Sequence, residues 1–322
     1  MVLSMFSAMG DPEPGTSNLC KGVILGVCVG SQTGGLAMPC SNAVNAVLMD
    51  LSESIGGQPM SFLQWSVFGI PTAIIVTAFA CWLIPFMVKP EPISPEQMAG
   101  MEKSFEKIPH HLERNDILFL VAIGGMIIAW ISGTWIKTLD IATVAMIGVV
   151  FMMLPGIGIL TPKEYFKNFS PSNIVVLLCL FPMASAMASS GAGEWVISNI
   201  FAGAENWSVM IFFIMSAVAA FVVHLLIPAA SANASLSALV MGPVAVACGV
   251  PSAAILFIIG CQAGSSYILP VDGIWAYTLG YGYYEFSDPM RKLWPLVLFI
   301  TLYAVTIVPL LTFIYSSAGL IA

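Results

Sequence analysis

Charged side chains are scarce in this chain. Only 8% of its 322 residues are Asp, Glu, Lys or Arg, against about 25% in a soluble globular domain. Ten are Lys or Arg, and they form no basic cluster of the kind that grips nucleic acid, so no nucleic-acid partner is expected. The seven cysteines, at 20, 28, 40, 81, 179, 248 and 261, show no paired or C-x-x-C spacing. They read as small core residues, not as a disulfide framework or metal site. No His/Glu zinc spacing, Gly-rich phosphate loop or Gly-x-Ser-x-Gly elbow occurs. An intramembrane enzyme would have only Asp272, His224 and Glu194 to work with, at no paired spacing, so no enzymatic activity and no cofactor are expected. The N-terminal residues lack a basic n-region and a full apolar h-region, which argues against a signal peptide. The formal net charge of −7 says little about partners, because the charges fall in loops and tails.

Apolar residues fill the space that charge leaves. They make up 58% of the chain, in long runs without a period-2 pattern. Such runs argue for membrane-spanning helices and against a barrel. The expected class is an all-α, multi-pass integral membrane protein of a bacterial or archaeal cytoplasmic membrane.

The runs organise around two interrupted stretches, Gly30-Ser-Gln-Thr-Gly-Gly-Leu-Ala-Met-Pro-Cys-Ser-Asn-Ala-Val-Asn45 and Gly260-Cys-Gln-Ala-Gly-Ser-Ser-Tyr-Ile-Leu-Pro-Val-Asp-Gly273. Glycine frees the backbone and proline removes a donor, so a helix breaks in each. Broken backbone at membrane depth is tolerated only where protein buries it or it lines a polar cavity. Gly30, Gln32 and Gly34 match Gly260, Gln262 and Gly264 at a fixed offset of 230, as Met60 and Leu63 match Met290 and Leu293. Pro39 and Pro270 are one residue out of step.

In chain order, residues 19–50 hold the first broken helix, as Gly22–Gly30 and Val44–Leu51, and Phe62–Val88 is a full span. Residues 89–116 form the only long charged stretch, a cytoplasmic linker with a surface helix at Pro95–Lys107. Ile117–Trp135 and Leu139–Leu160 are spans, 161–172 lies at the interface, and Ile174–Phe201 is a further span. Residues 207–247 are apolar at both ends with a centre of small and polar residues, Ser231-Ala-Asn-Ala-Ser235, and fit a re-entrant hairpin or two spans. Residues 250–282 hold the second broken helix, Tyr283–Lys292 is a loop, and Leu293–Tyr315 is the last span.

Nine of the ten basic residues lie at Lys21, in the linker, at Lys163 and Lys167, and at Arg291 and Lys292; Lys137 stands apart. The positive-inside rule then puts the start of the first broken helix and the end of the second on one side. The two segments cross in opposite directions, as in an inverted repeat. The organisation expected is residues 1–88 as the remainder of a first repeat, 89–116 as linker, and 117–322 as a second repeat. By analogy the first repeat lacks three spans and most of a hairpin, on the order of 100–150 residues.

These motifs resemble the divalent anion:sodium symporter (DASS) family of sodium/sulfate and di- and tricarboxylate carriers, over nearly the whole chain. Gly34-Gly35…Asn42-Ala-Val-Asn45 falls where that family has Gly-Gly…Thr-Pro-Pro-Asn. Leu269-Pro270-Val271 is similar to the Leu-Pro-Val before its second such motif, and Gly280-Tyr-Gly-Tyr-Tyr284 to the segment after that motif in some members. Ser231-Ala-Asn-Ala-Ser235 sits where a hairpin tip carries Ser-Asn-Thr. The Pro-Pro pairs are replaced by Ala43-Val44 and Ile274-Trp275, and the first hairpin tip is not in this chain; these departures bear on sodium dependence and dicarboxylate specificity more than on membership.

The resemblance implies an inverted-repeat secondary transporter, truncated at its N-terminus and assembled as a homodimer in the lipid bilayer. It would move a small anion, dicarboxylate or sulfate, coupled to Na+ or H+ by alternating access. The alternative is a non-transporting member, or a subunit whose partner chain supplies the missing half. Substrate contacts are expected at Asn42, Asn45, Ser231, Asn233 and Ser235. Cation contacts are expected at Gly34, Gly35, Gly264, Ser265, Pro270 and Asp272, with no metal beyond a possible Na+ there. For the hairpin tip the plainer reading is helix–helix contact through small residues, and for the breaks a packing kink. Asp272 either neutralises a coupling cation, carries a proton or caps the half-helix after it. His224 reads as a neutral, hydrogen-bonded helix contact or a proton relay, and Gln32 and Gln262 as pocket residues or interhelical contacts.

Overall fold

A computed structural model describes residues 5–317 except 8, 11, 57–59, 107–110, 134, 137–138, 155, 158, 165–189, 192–194, 196–198, 205–206, 228 and 271. Most of the expected span 174–201, with Glu194, and most of the interfacial stretch 161–172 lie outside the described residues.

Helix α1 (Asn18–Gly35) starts under a cap from Ser17, whose Oγ accepts from the Cys20 N–H at 3.1 Å. It runs five residues beyond the expected stop at Gly30. Ser31, Gln32 and Thr33 do not break a helix, and Thr33 Oγ1 turns back onto the Val29 carbonyl at 3.0 Å. The break itself occupies Leu36–Asn42 and includes a 3₁₀ turn, Pro39–Ser41. Asn42 Oδ1 then accepts from the Val44 N–H at 3.1 Å and starts α2 (Ala43–Gly56). Helix α3 (Phe62–Val88) continues through Pro71 and Pro85.

The chain divides into two compact units. The smaller comprises Met1–Pro12, Ser61–Leu63 and Pro92–Val175. It holds α4 (Pro95–Glu106), α5 (Arg114–Ser132) and α6 (Ile141–Met153), with α5 and α6 packed together. Helix α6 is shorter than the span expected over 139–160. Asp140 caps its start through the Thr143 N–H at 2.9 Å, and Leu154, at ψ 135° before Pro155, is extended as a residue preceding proline must be.

The larger unit comprises Glu13–Met60, Gln64–Glu91 and Val176–Ala322. Its axis is α9 (Ser252–Ala263), buried at every residue from Ala254 to Ala263. A helix apolar on all sides has to be enclosed by its neighbours. Around it lie α2, α7 (Val209–Leu226), α8 (Ala230–Ala247) and α12 (Trp294–Ser317). Trp65 and Phe68 of α3 meet Phe257 at ring separations of 5.2 and 5.4 Å. After the second break come α10 (Gly273–Leu279) and α11 (Ser287–Lys292), the latter inside what the sequence suggests is a loop.

Five described helices are long and apolar enough to cross a membrane: α3, α5, α7, α8 and α12. The outer faces of α3, α5 and α12 carry Trp82, Phe86, Ile128, Leu302 and Phe313, each more than 60% exposed. A surface this apolar is stable in lipid and a liability in water.

Candidate functional site

Polar side chains hold the first break open. Asn45 Nδ2 donates to the carbonyls of Gly35 at 2.7 Å and Met38 at 2.9 Å, and Trp65 Nε1 donates to the Leu36 carbonyl at 3.0 Å. Gly69 of α3 lies so close that a Cβ there would stand 2.3 Å from the Leu36 oxygen. In the second break the Gly264 N–H donates to Gly260 O at 2.8 Å and Ser266 Oγ to Leu269 O at 2.7 Å. Ser265 is buried and its carbonyl accepts from the Tyr267 N–H at 3.1 Å, while Pro270, further along the break, is also buried.

Helices α7 and α8 form a hairpin closed across its two arms. Asn233 Nδ2 donates to the Ala220 carbonyl at 3.1 Å, and Ser237 Oγ donates to Asn233 Oδ1 at 2.9 Å. Ser235 Oγ donates to the Ser231 carbonyl at 2.9 Å.

The hairpin turn and both breaks wall one cavity of about 320 Å³. Ser31 and Gln32 come from the end of α1, Ser41 and Asn42 from the first break, Ala229 and Ser231 from the hairpin turn, and Gly264, Asp272 and Gly273 from the second break. Of the expected residues, the structure brings Asn42, Ser231, Gly264 and Asp272 onto this wall. Asn45, Asn233 and Ser235 stand off the lining and brace it, and Gly34, Gly35, Ser265 and Pro270 are not on it. Residues that sequence reasoning passed over are Ser31 and Ser41 on the wall and Trp65, Gly69 and Trp275 behind it. The signal available for the tryptophans is that a buried indole N–H requires an acceptor.

Two expectations change at Asp272 and His224. Asp272 occupies the cap position of α10 but makes no side-chain cap bond. Its Oδ2 accepts instead from Gln32 Nε2 at 2.9 Å, and Gln32 Oε1 accepts from Trp275 Nε1 at 3.2 Å. His224 is 2% exposed and has no hydrogen-bond partner at either ring nitrogen among the described residues, so the hydrogen-bonded helix contact expected of it is not seen there. Its Nε2 faces Asp272 Oδ1 at 3.9 Å. The two glutamines matched at the 230-residue offset differ in use: Gln32 joins the cavity, whereas Gln262 donates to Thr301 Oγ1 at 3.0 Å.

Elsewhere in the larger unit, Lys21 Nζ meets Asp288 Oδ2 at 2.9 Å and Lys292 Nζ donates to Met87 O at 2.8 Å. Glu91 accepts from Ser17 Oγ and from the Leu19 N–H.

An all-helical, multi-pass membrane protein whose interrupted helices meet a hairpin turn at a polar cavity has the architecture of a secondary transporter. The family comparison agrees. The chain belongs to the family described as the sodium:sulfate symporter transmembrane region, which matches residues 2–317, and that family consists of transporters, not enzymes. The chain is 22% identical to a membrane protein of Cupriavidus necator, over 80% of this chain and 51% of that one. It is 25% identical to the citrate/succinate antiporter of Escherichia coli K12, over 52% of this chain and 34% of that one. To an uncharacterized transporter of Schizosaccharomyces pombe it is 23% identical, over 66% of this chain and 24% of that one. The chain thus spans about half the length of these curated relatives, or less.

Proposed function

We propose that this chain carries the substrate cavity of a secondary transporter for a small anion of the dicarboxylate or sulfate class. Transport is coupled to Na+ or H+ and proceeds by alternating access, in a homodimer. The observation that carries the reading is the convergence of the hairpin turn and both breaks on one cavity. Helix α8 begins at that wall with Ala229 in the cap position and no side-chain cap, so the first N–H groups of an 18-residue helix are available to an anion. Asn42 and the serine hydroxyls add neutral donors. The order of broken helix and terminal span, occurring twice, supports an inverted repeat, with the α7–α8 hairpin re-entrant. The family's description and the name of the E. coli relative supply the substrate class.

The test is uptake of labelled sulfate and succinate into proteoliposomes under an imposed Na+ or pH gradient, alongside anion binding to the purified protein. Gradient-dependent uptake of either anion supports the proposal. Absence of both binding and uptake overturns it. Binding without uptake favours a second reading, that the chain requires a partner chain to complete the carrier, which the half-length match to its relatives motivates.

A further inference from the structure

We propose that the cavity selects a short 2-amino dicarboxylate, an anion that carries its own ammonium group, and that Asp272 is the residue that reads the ammonium. The inference rests on the anion-carrier reading above and narrows its substrate class.

The cavity of about 320 Å³ has two electrical poles, supplied by different elements. The positive pole is the start of α8, an 18-residue helix with Ala229 at the cap position and no side-chain cap bond. Ala229 and Ser231 both stand on the wall. Asn42 is on the wall too, and its Oδ1 is engaged by the Val44 N–H at 3.1 Å, which leaves its amide Nδ2 to donate. Helix N–H groups and neutral amides suit carboxylates. The negative pole is Asp272. Among the described residues it is the one acid lining the cavity, and no Lys or Arg lines it.

The Asp272 carboxylate is fixed in orientation and has no counter-charge. Gln32 Nε2 donates to Oδ2 at 2.9 Å, and Gln32 is itself held by Trp275 Nε1 at 3.2 Å, so Oδ1 remains. The side chain is only 14% exposed. A charge this enclosed is ordinarily paired. His224 does not supply the pair. Its Nε2 lies 3.9 Å from Oδ1, too far for a hydrogen bond, and neither ring nitrogen has a partner among the described residues. An imidazolium 2% exposed and without a hydrogen bond would itself be strongly disfavoured.

An unsubstituted dicarboxylate brings two negative charges into a cavity that already holds one, and a low local dielectric makes the repulsion costly. A 2-amino dicarboxylate of the same length brings a net charge of one. Its ammonium supplies N–H donors and the missing positive charge, in a charge-assisted hydrogen bond to Oδ1. Its carboxylates take the start of α8 and Asn42. Both poles are then satisfied by one molecule. Sulfate, with no donor and no positive group, satisfies only the first.

The experiment measures equilibrium binding of succinate, L-malate and L-aspartate to the purified chain in NaCl at neutral pH. The three share one carbon skeleton and differ in carrying hydrogen, hydroxyl or ammonium at the second carbon. The wild type is expected to bind aspartate at least about tenfold more tightly than succinate, with malate between them. In Asp272→Asn the order inverts: succinate gains affinity and aspartate loses it. Gln32→Leu keeps the charge and frees its orientation, so the ratio of aspartate to succinate affinity falls. A packing defect would weaken all three anions alike and leave that ratio unchanged, so Gln32→Leu decides the matter if Asp272→Asn does not fold. Succinate binding as tightly as aspartate in the wild type overturns the proposal. So does malate binding as tightly as aspartate, because a hydroxyl then suffices, and so does the full wild-type ratio in Asp272→Asn or, in its place, in Gln32→Leu. Each of these leaves the carrier reading standing, since an anion still binds. If neither these three nor sulfate binds or is taken up, the carrier reading falls and the proposal with it.

Discussion

Replacing Gly69 with alanine strikes the first break directly. The added Cβ would lie 2.3 Å from the Leu36 oxygen and 2.5 Å from the Ala37 oxygen, where ordinary contact begins at 3.4 Å. Both are backbone atoms, so no side chain can swing away. The break must retreat by about 1 Å, and the Trp65 Nε1 bond to the same Leu36 oxygen, now 3.0 Å, must lengthen with it. Overpacking of this kind costs about 1–3 kcal/mol. The upper end applies here, because two carbonyls are displaced at once. About 3 kcal/mol corresponds to roughly a hundredfold in any equilibrium that needs the native break. The matched control is Gly30→Ala in α1, where a Cβ meets nothing within 4 Å, and alanine in a helix is neutral or better than glycine. The assays are thermal unfolding in detergent and anion binding. Gly69→Ala is expected to melt lower and bind at least tenfold more weakly, with Gly30→Ala near wild type. If Gly69→Ala melted and bound like the wild type, the close approach of α3 to the break would be refuted.

Further expectations concern the braces and the ionic contacts of Lys21 and Glu91. Asn45→Ala removes both donors to Gly35 O and Met38 O and should weaken anion binding about tenfold or more, with membrane insertion unchanged on fractionation. Asn233→Ala frees Ala220 O and Ser237 Oγ inside the hairpin and should cost about 1–3 kcal/mol in thermal or denaturant unfolding. Lys21 and Asp288 are 19% and 10% exposed in their side chains, so a double-mutant cycle in unfolding should return a coupling above the surface median of about 0–1 kcal/mol. Burial alone would raise the Glu91 carboxyl, but hydrogen bonds from Ser17 and the backbone N–H groups of Leu19 and Asn18 outweigh it and hold the group below its ordinary value. A depressed carboxyl contributes stability above its unfolded pKa and loses it as pH falls through the folded one. Melting curves of wild type and Glu91→Gln should therefore differ slightly at neutral pH and converge in acid; equal spacing at every pH would contradict the assignment. The effect is small because Glu91 is exposed.

Much of this fold is legible in the sequence because lipid imposes strict demands. Phe62–Val88 is bounded to the residue, because a predominantly apolar run of 27 residues between polar flanks leaves no other solution. Both breaks are visible from glycine and proline inside apolar runs. Their edges are not: α1 passes Gly30, since its closing glycines come at 34 and 35 and a back-bonding Thr33 postpones the end. The last turn of the polar loop, Ser287–Lys292, is hidden because six residues carry too little pattern to register as a helix.

The candidate site divides the same way. The sequence determined that the chain is helical and membrane-embedded, that its helices break at two places, and that polar groups cluster there. Composition and backbone chemistry act locally, and each of those statements needs only neighbouring residues. Tertiary structure alone decided which polar groups face the cavity and which support it. Asn42 and Asn45 lie three residues apart, yet one lines the wall and the other pins the backbone behind it. Gln32 and Asp272 are separated by 240 positions and meet at 2.9 Å, and His224 faces that pair with no hydrogen-bond partner among the described residues. Such pairings depend on how α7, α8 and α9 pack against the first broken helix. They arise from long-range close packing, and no local pattern encodes them.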